Sequence, residues 1–359
     1  MPNSRRAFLE EVSFASLIAG FPAPAQAALA KYAEGPPEPV FPRAMRKGDT
    51  VALIRPGSPS FDYGANEVAT EIVASLGFTP KLMPNAGKRL GYLAGTDAER
   101  AADLNAAFAD PKIDAVWCLR GGYGTSRILP LLDYGTIRKN PKPFIGFSDI
   151  TATLNAINRL TGLVTFHGPV AGSTLSEYSL AAFRKVVTDG FAGPIAEPPP
   201  FAPREGIVDR ENRVWKLAPG KAKGRLVGGN LSVFSTLVGT PFEPELKGRI
   251  LFLEEIEEDP YRIDRWLTQL LLTGKLSGLS GVALGKFSDC TPGPNRDSTL
   301  LGSWTWQEVC ADRLGQLGIP VVAGLCFGHT RDKATVPVGA MAELDAGAGT
   351  LTLLEPAVR

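Results

Sequence analysis

Histidine is almost missing from this sequence: His167 and His329 are the only two in 359 residues. Chemistry that needs an imidazole near neutral pH must therefore use one of them. Two histidines this far apart also lack the close spacing of a zinc-binding helix. Cysteine is scarce too. Cys118, Cys290, Cys310 and Cys326 form no C-x-x-C pair and two lie in apolar runs, so buried free thiols are expected in place of a zinc site. Neither sign of charge is in surplus, since the net charge is +1, and this leaves no electrostatic footprint for nucleic acid. After the first thirty residues no apolar run is long enough to span a bilayer. There is no internal repeat, no G-K-[ST] and no spaced G-x-G-x-x-G. What remains is a globular chain, 44% hydrophobic and 21% charged, long enough for two domains with cores of their own.

The N-terminus differs from the rest. Ser4-Arg5-Arg6-Ala7-Phe8-Leu9 precedes a short apolar stretch over residues 12–21, and Pro22-Ala23-Pro24-Ala25-Gln26-Ala27 follows. A paired arginine, a short apolar segment and a small-x-small end predict a twin-arginine-type export signal over residues 1–27, with the periplasm as destination. Glu10 and Glu11 depart from the usual flank, and an amphipathic N-terminal helix in a cytoplasmic protein is the other reading. A proline-rich tether is expected over 28–46, with no stable membrane insertion once the signal is removed.

From Thr50 onward strand-like and helix-like segments alternate. Thr50 to Ile54 reads as a strand, Thr96-Asp97-Ala98-Glu99 as a capping box opening a helix, and residues 113–119 as a second buried strand before Arg120-Gly121-Gly122-Tyr123-Gly124. This alternation predicts an α/β fold: an open, mostly parallel N-terminal sheet flanked by helices over 47–172, a proline-rich linker region over 173–223, and a smaller α/β or β-rich C-terminal domain over 224–359, with the active site in the cleft between them.

The third strand, Phe144-Ile145-Gly146, turns around Phe147-Ser148-Asp149-Ile150 into a helical pattern with apolar residues at Ile150, Leu154 and Ile157. A serine on such a turn presents its hydroxyl, and the amides after it can face a developing oxyanion. Ile150 stands where a full G-x-S-x-G elbow has its second glycine, so Ser148 and Asp149 as a helix cap is the competing reading. A serine nucleophile needs a base, which leaves His167 or His329. Ser148, Glu254 and His329 each follow a buried strand, the edge where open α/β sheets bind ligands. In that combination serine attacks, histidine carries the proton and a carboxylate orients the imidazole. Gly121-Gly122-Tyr123-Gly124 could add an oxyanion-hole amide, cradle a phosphate or simply turn. The acidic run from Glu254 to Asp259 lacks calcium-loop spacing.

Together these residues resemble the LD-carboxypeptidases, also called muramoyltetrapeptide carboxypeptidases, a family of serine peptidases. The resemblance rests on Tyr92-Leu93-Ala94-Gly95-Thr96, Arg120-Gly121-Gly122-Tyr123-Gly124, Gly146-Phe147-Ser148-Asp149, Phe166-His167-Gly168-Pro169, Gly228-Gly229-Asn230, Phe252-Leu253-Glu254-Glu255, Tyr261-Arg262-Ile263-Asp264-Arg265 and Gly328-His329. It implies a Ser148-His329-Glu254 triad, an oxyanion hole from the amides of Asp149 and Gly122, and a homodimer. It implies no metal and no other cofactor. The implied reaction releases the terminal D-alanine of a murein tetrapeptide. A branch of the family resembles self-immunity proteins that hydrolyse peptide-nucleotide antibiotics, and a non-catalytic murein-binding protein is a third possibility. Thr330-Arg331-Asp332-Lys333 departs from the family pattern after the histidine. Arg120, Tyr123 and Arg127 are the candidates for holding substrate, the arginines by charge alone.

Overall fold

The computed structural model describes residues 20–23, 26–27, 30, 37–291 and 304–359. The arginine pair of the expected export signal lies outside them. Phe21, at the end of that signal's apolar stretch, is described, and its ring stacks on Phe242 with centroids 5.7 Å apart.

Two sheets organise the chain. The first has the order β12-β5-β4-β3-β1-β2, where β1 is Thr50–Ile54, β2 Thr79–Leu82, β3 Ala115–Cys118, β4 Phe144–Gly146, β5 Thr165–His167 and β12 Val336–Val338. Its pairs are parallel except β12 against β5. Right-handed crossovers need helices between parallel strands, and these are α1 (Ala65–Ser75), α2 (Asp97–Ala109), the short α3 (Thr125–Ile128) and α4 (Tyr134–Lys139), and α5 (Thr151–Thr161). The capping box at Thr96 forms as the sequence predicts. Glu99 N donates to Thr96 Oγ1, and Thr96 N donates back to the Glu99 carboxylate.

The second sheet is larger, with the order β6-β14-β13-β8-β9-β10-β11-β7: β6 Gly193–Ile195, β7 Trp215–Ala218, β8 Lys221–Asn230, β9 Ile250–Ile256, β10 Gly281–Ser288, β11 Val321–Ala323, β13 Met341–Asp345 and β14 Thr350–Leu353. Its central strands β8, β9, β10 and β11 run parallel. The stretch expected to be a linker carries α6 (Glu177–Val187), β6 and β7. Phe183 of α6 stacks on Trp117 at 4.7 Å, and β6 pairs with β14. Likewise β12, late in the chain, returns to the first sheet. The expected linker thus serves both layers, and the C-terminal half returns one strand to the first sheet.

Strand β9 shows how the halves meet. Side chains alternate faces along a strand. Ile250 and Phe252 belong to the core shared with the first sheet. Leu251 and Leu253 belong to a second core with Ile263, Leu267 and Leu270 of α7 (Pro260–Leu272) and Val309 and Leu314 of α8 (Trp306–Gly315). Ile263, Leu267 and Leu270 fall at i, i+4 and i+7, one apolar stripe of the helix. Trp266 is partly buried against the same cluster. The two-residue period therefore carries Glu254 to the face of Phe252, toward the first sheet, and Glu255 away from it.

Asn155 of α5 fastens the junction. Its amide donates to Gly228 O (2.8 Å) and accepts from Gly228 N (3.2 Å), and Thr151 Oγ1 accepts from Asn230 N (2.9 Å). All are buried, so losing one partner would leave orphaned polar groups at about 1–3 kcal/mol each.

Candidate active site

Ser148 ends the strand-to-helix turn in a left-handed conformation, φ 65°, uncommon for a residue with a Cβ. Such a conformation costs about 1–3 kcal/mol and persists only where the surroundings enforce it. Gly121 is part of that enforcement. A Cβ placed on it would stand 3.0 Å from both Phe147 O and Ser148 Cβ. Residues 148–150 form a 3-10 turn before α5, so the helix begins two residues later than the apolar pattern suggests, and Ser148 is not its cap: no side-chain cap bond is made there. Ser148 is half-buried. Asp149 is buried, its carboxylate accepting from Thr125 N at 2.9 Å. The amides of Asp149 and Gly122 donate to no acceptor among the described residues.

Register brings the second sheet to this turn. Asn230, bonded to Thr151, pairs across β8 and β9 with Glu254. Glu254 is fully buried. His329 follows β11 on a bend and its Nδ1 lies 2.7 Å from Glu254 Oε2, which also accepts from His329 N at 3.2 Å. An ionised carboxylate only accepts, so Nδ1 carries a proton, and the neutral tautomer this favours has its lone pair on Nε2. Gly328 is required beside it: φ is 105°, and a Cβ there would come within 2.7 Å of the Glu254 side chain. The Ser288 hydroxyl donates to His329 O and fixes the bend.

The other histidine is on the opposite side of the same carboxylate. His167, last residue of β5 and buried, has Nε2 3.6 Å from Glu254 Oε1, and neither atom has a hydrogen-bond partner among the described residues. The Phe147 ring lies between the two imidazoles, 4.8 Å from His329 and 6.1 Å from His167. Burial pushes the Glu254 carboxyl up, but His167 and His329 together outweigh it and hold the group below the ordinary carboxylate range. The geometry thus gives a buried carboxylate, an oriented imidazole and an adjoining strained serine, whose neighbour Phe147 touches the imidazole.

Glu255 has the reverse situation. It accepts from Asn230 Nδ2 and Ser232 N, both at 2.7 Å, yet burial and the neighbouring Glu254 charge raise its carboxyl to about 7. A carboxyl raised in the folded state above its unfolded value of 4.5 favours folding at low pH, and that contribution is lost as pH rises. Urea unfolding across pH should show this component falling between about 4.5 and 7. Glu255→Gln should abolish that slope, whatever its uniform effect on stability. An unchanged slope would show that Glu255 is not its source.

The expected substrate-holding residues are not equivalent. Arg127 is paired with Asp97, its Nε 3.0 and 3.1 Å from the two carboxylate oxygens, a pairing that charge alone does not reveal. Tyr123 is exposed, with its ring edge-on to exposed Tyr92 at 5.6 Å. Arg120 is exposed and shares a cavity with Arg55, a residue the sequence reading passed over. Lys333, half-buried with Nζ 4.5 Å over the Phe147 ring, was also missed as a site residue. The four cysteines are buried and free. Among the described residues no helix is long and apolar enough to cross a membrane.

Comparison with known proteins agrees with this layout. Residues 51–168 match the LD-carboxypeptidase N-terminal domain and residues 223–344 its C-terminal domain. A "Probable murein peptide carboxypeptidase" of Bacillus subtilis is 38% identical over 313 residues, covering 87% of this chain and 93% of the relative. The "Murein tetrapeptide carboxypeptidase" of Pseudomonas aeruginosa is 33% identical, covering 82% of this chain and 92% of its own. Among solved structures, "MccF in complex with glutamyl sulfamoyl guanosine" superposes with a TM-score of 0.79 at 26% identity, covering 89% of this chain and 100% of the other. With both domain matches in sequence order and relatives similar along nearly their whole length, the chain belongs to the LD-carboxypeptidase family of hydrolases.

Proposed function

We propose that this protein is a serine carboxypeptidase that releases the terminal D-alanine from murein tetrapeptides, with Ser148 as nucleophile, His329 as general base and acid, and Glu254 as the carboxylate that orients His329. The observation that carries the reading is the pairing of buried Glu254 with half-buried His329 beside a serine held at positive φ. Ser148 Oγ attacks the carbonyl carbon of the diamino acid while its proton passes to His329 Nε2. The Nδ1 proton stays on His329, and the Glu254 charge stabilises the imidazolium. The amides of Asp149 and Gly122, with no acceptor among the described residues, receive the oxyanion. Collapse breaks the C–N bond, and the Nε2 proton leaves with the D-alanine amine. Water then repeats the sequence on the acyl-enzyme and restores Ser148.

The names of the two murein-peptide relatives support this substrate. In this reading the enzyme meets murein in the periplasm as a homodimer, delivered by the Ser4-Arg5-Arg6 segment; fractionation of cells and light scattering of the purified protein test those two points. The decisive experiment is incubation with a purified murein tetrapeptide. Equimolar D-alanine and tripeptide are expected, and binding with no turnover would refute the assignment. A second reading keeps the triad and takes a peptide-nucleotide amide. The exposed Tyr92–Tyr123 pair favours it, as a surface on which a base can stack. Faster cleavage of an aminoacyl-nucleotide amide than of the tetrapeptide would decide for it.

A further inference from the structure

Glu254 is fully buried, and an ionised carboxylate in such a place depends on the donors that reach its oxygens. One oxygen is provided for: Oε2 accepts from His329 Nδ1 at 2.7 Å and from His329 N at 3.2 Å. The other, Oε1, has no hydrogen-bond partner among the described residues. It faces His167 Nε2 at 3.6 Å, and that nitrogen is equally buried and equally without a partner among them. Buried orphans of this kind cost about 1–3 kcal/mol each. Here they are complementary, provided that Nε2 carries a proton. The separation exceeds a formed hydrogen bond and is too short to seat a water in line, so a small turn of either side chain closes it.

The fold fixes His167 on that side of the carboxylate. It ends β5, in register with Gly146 of β4 and Val336 of β12. Its ring stands edge-on to Phe147 at 6.1 Å and edge-on to Phe252 at 5.5 Å. Phe252 leaves β9 on the same face as Glu254, so one strand places both the carboxylate and the ring that steadies the imidazole. No other charged group competes for the contact: Glu255 leaves the opposite face of β9, Lys333 lies over the Phe147 ring, and His329 is engaged with Oε2. His167 is itself only 1% exposed, which bars it from meeting substrate.

We infer that His167 is a positioning residue of the reaction, donating its Nε2 proton to Glu254 Oε1 and so holding the carboxylate ionised, with Oε2 turned to His329. No bond forms or breaks at His167, and its proton stays in place through the cycle. The consequence for rate rests on the triad reading above, because it acts through Glu254 and His329. A carboxylate anchored at Oε1 cannot rotate away when His329 becomes an imidazolium, and its charge stays where that cation forms.

The chain has only these two histidines, so 15N labelling of histidine yields four ring nitrogens, and protonated and bare nitrogens separate widely in shift. In the full-length resting protein at neutral pH, His167 Nε2 is expected to carry a proton that exchanges slowly with water. Spectra of His167→Gln, which lacks that ring, assign the signals. His167→Phe keeps the bulk and loses the donor. It should lower kcat for D-alanine release about 10- to 100-fold with little change in KM, the scale of a hydrogen bond to a charged group. His167→Gln, whose amide can still donate, should recover most of that loss. A residue that merely filled space would give the reverse order, since phenylalanine is the better filler. A bare Nε2 in the parent protein overturns the inference. So does a folded His167→Phe with the parent kcat, or one at least as active as His167→Gln. Should His167→Phe fail to fold, the parent spectrum decides by itself. The two readings fail separately. Turnover by Ser148→Ala removes the triad and leaves the Nε2 proton to be read in the resting chain, whereas a bare Nε2 with Ser148→Ala inactive removes His167 alone.

Discussion

Ser148→Ala should lower kcat for D-alanine release by about ten thousand- to a million-fold, the scale seen when a triad nucleophile is deleted. The size of the effect follows from the neighbourhood. The two nearest hydroxyls across the turn are engaged with backbone. Ser58 Oγ accepts from Tyr123 N, and Thr125 Oγ1 donates to Asp149 O. Residual activity should be the small acceleration that positioning and the oxyanion amides give to direct attack by water. Alanine occupies the same backbone with one atom fewer, so the fold should survive, as circular dichroism can verify. Release measured at saturating tetrapeptide decides the matter. A variant that kept more than a hundredth of the parent kcat would remove Ser148 from the mechanism.

Glu254→Gln should produce the second largest loss, about a thousand- to ten thousand-fold in kcat with little change in KM. In the proposed mechanism the carboxylate has two tasks. It keeps the proton on His329 Nδ1, so that Nε2 can accept one from serine, and it offsets the imidazolium charge in the transition state. A glutamine oxygen could still accept from Nδ1 while its NH2 turned toward His167 Nε2, now 3.6 Å from Oε1. It could not supply the charge. The same substitution should change stability in a pH-dependent way. A carboxyl held below its unfolded value of 4.5 contributes stability that is present above that pH and is lost as pH falls below it. The gap in stability between parent and Glu254→Gln, measured by urea unfolding, should therefore be widest near neutrality and narrow below about pH 4.5. A variant with more than a tenth of the parent kcat would mean that His329 is oriented by something else.

The two substitutions probe opposite sides of one junction. Ser148 is carried by the first sheet, Glu254 and His329 by elements of the second. The connection runs through buried polar pairs, Asn155 with Gly228 and Thr151 with Asn230. Such pairs are geometrically demanding and stabilise modestly, which suits them to fixing register more than to holding the halves together. The shared apolar core does the holding. Phe252, on the same face of β9 as Glu254, anchors the carboxylate in depth and packs edge-on to His167 at 5.5 Å.

Some of this was legible in the order of residues alone, because it depends on near neighbours. The capping box at Thr96 and Glu99, the strand at Thr50–Ile54, the turn at Ser148 and the alternation that makes an α/β fold are all short-range patterns. The scarcity of histidine narrowed the base to two residues. Tertiary structure decided what depends on distant partners. It brought both histidines to one carboxylate, with His329 at 2.7 Å in hydrogen bond and His167 at 3.6 Å without one. It sent β12 back to the first sheet, built a helix and strands into the expected linker, tied Arg127 to Asp97, and set Arg55 beside Arg120. Pairings of this kind are selected by the global packing of two sheets around one core, where each contact costs chain entropy that local sequence cannot reveal.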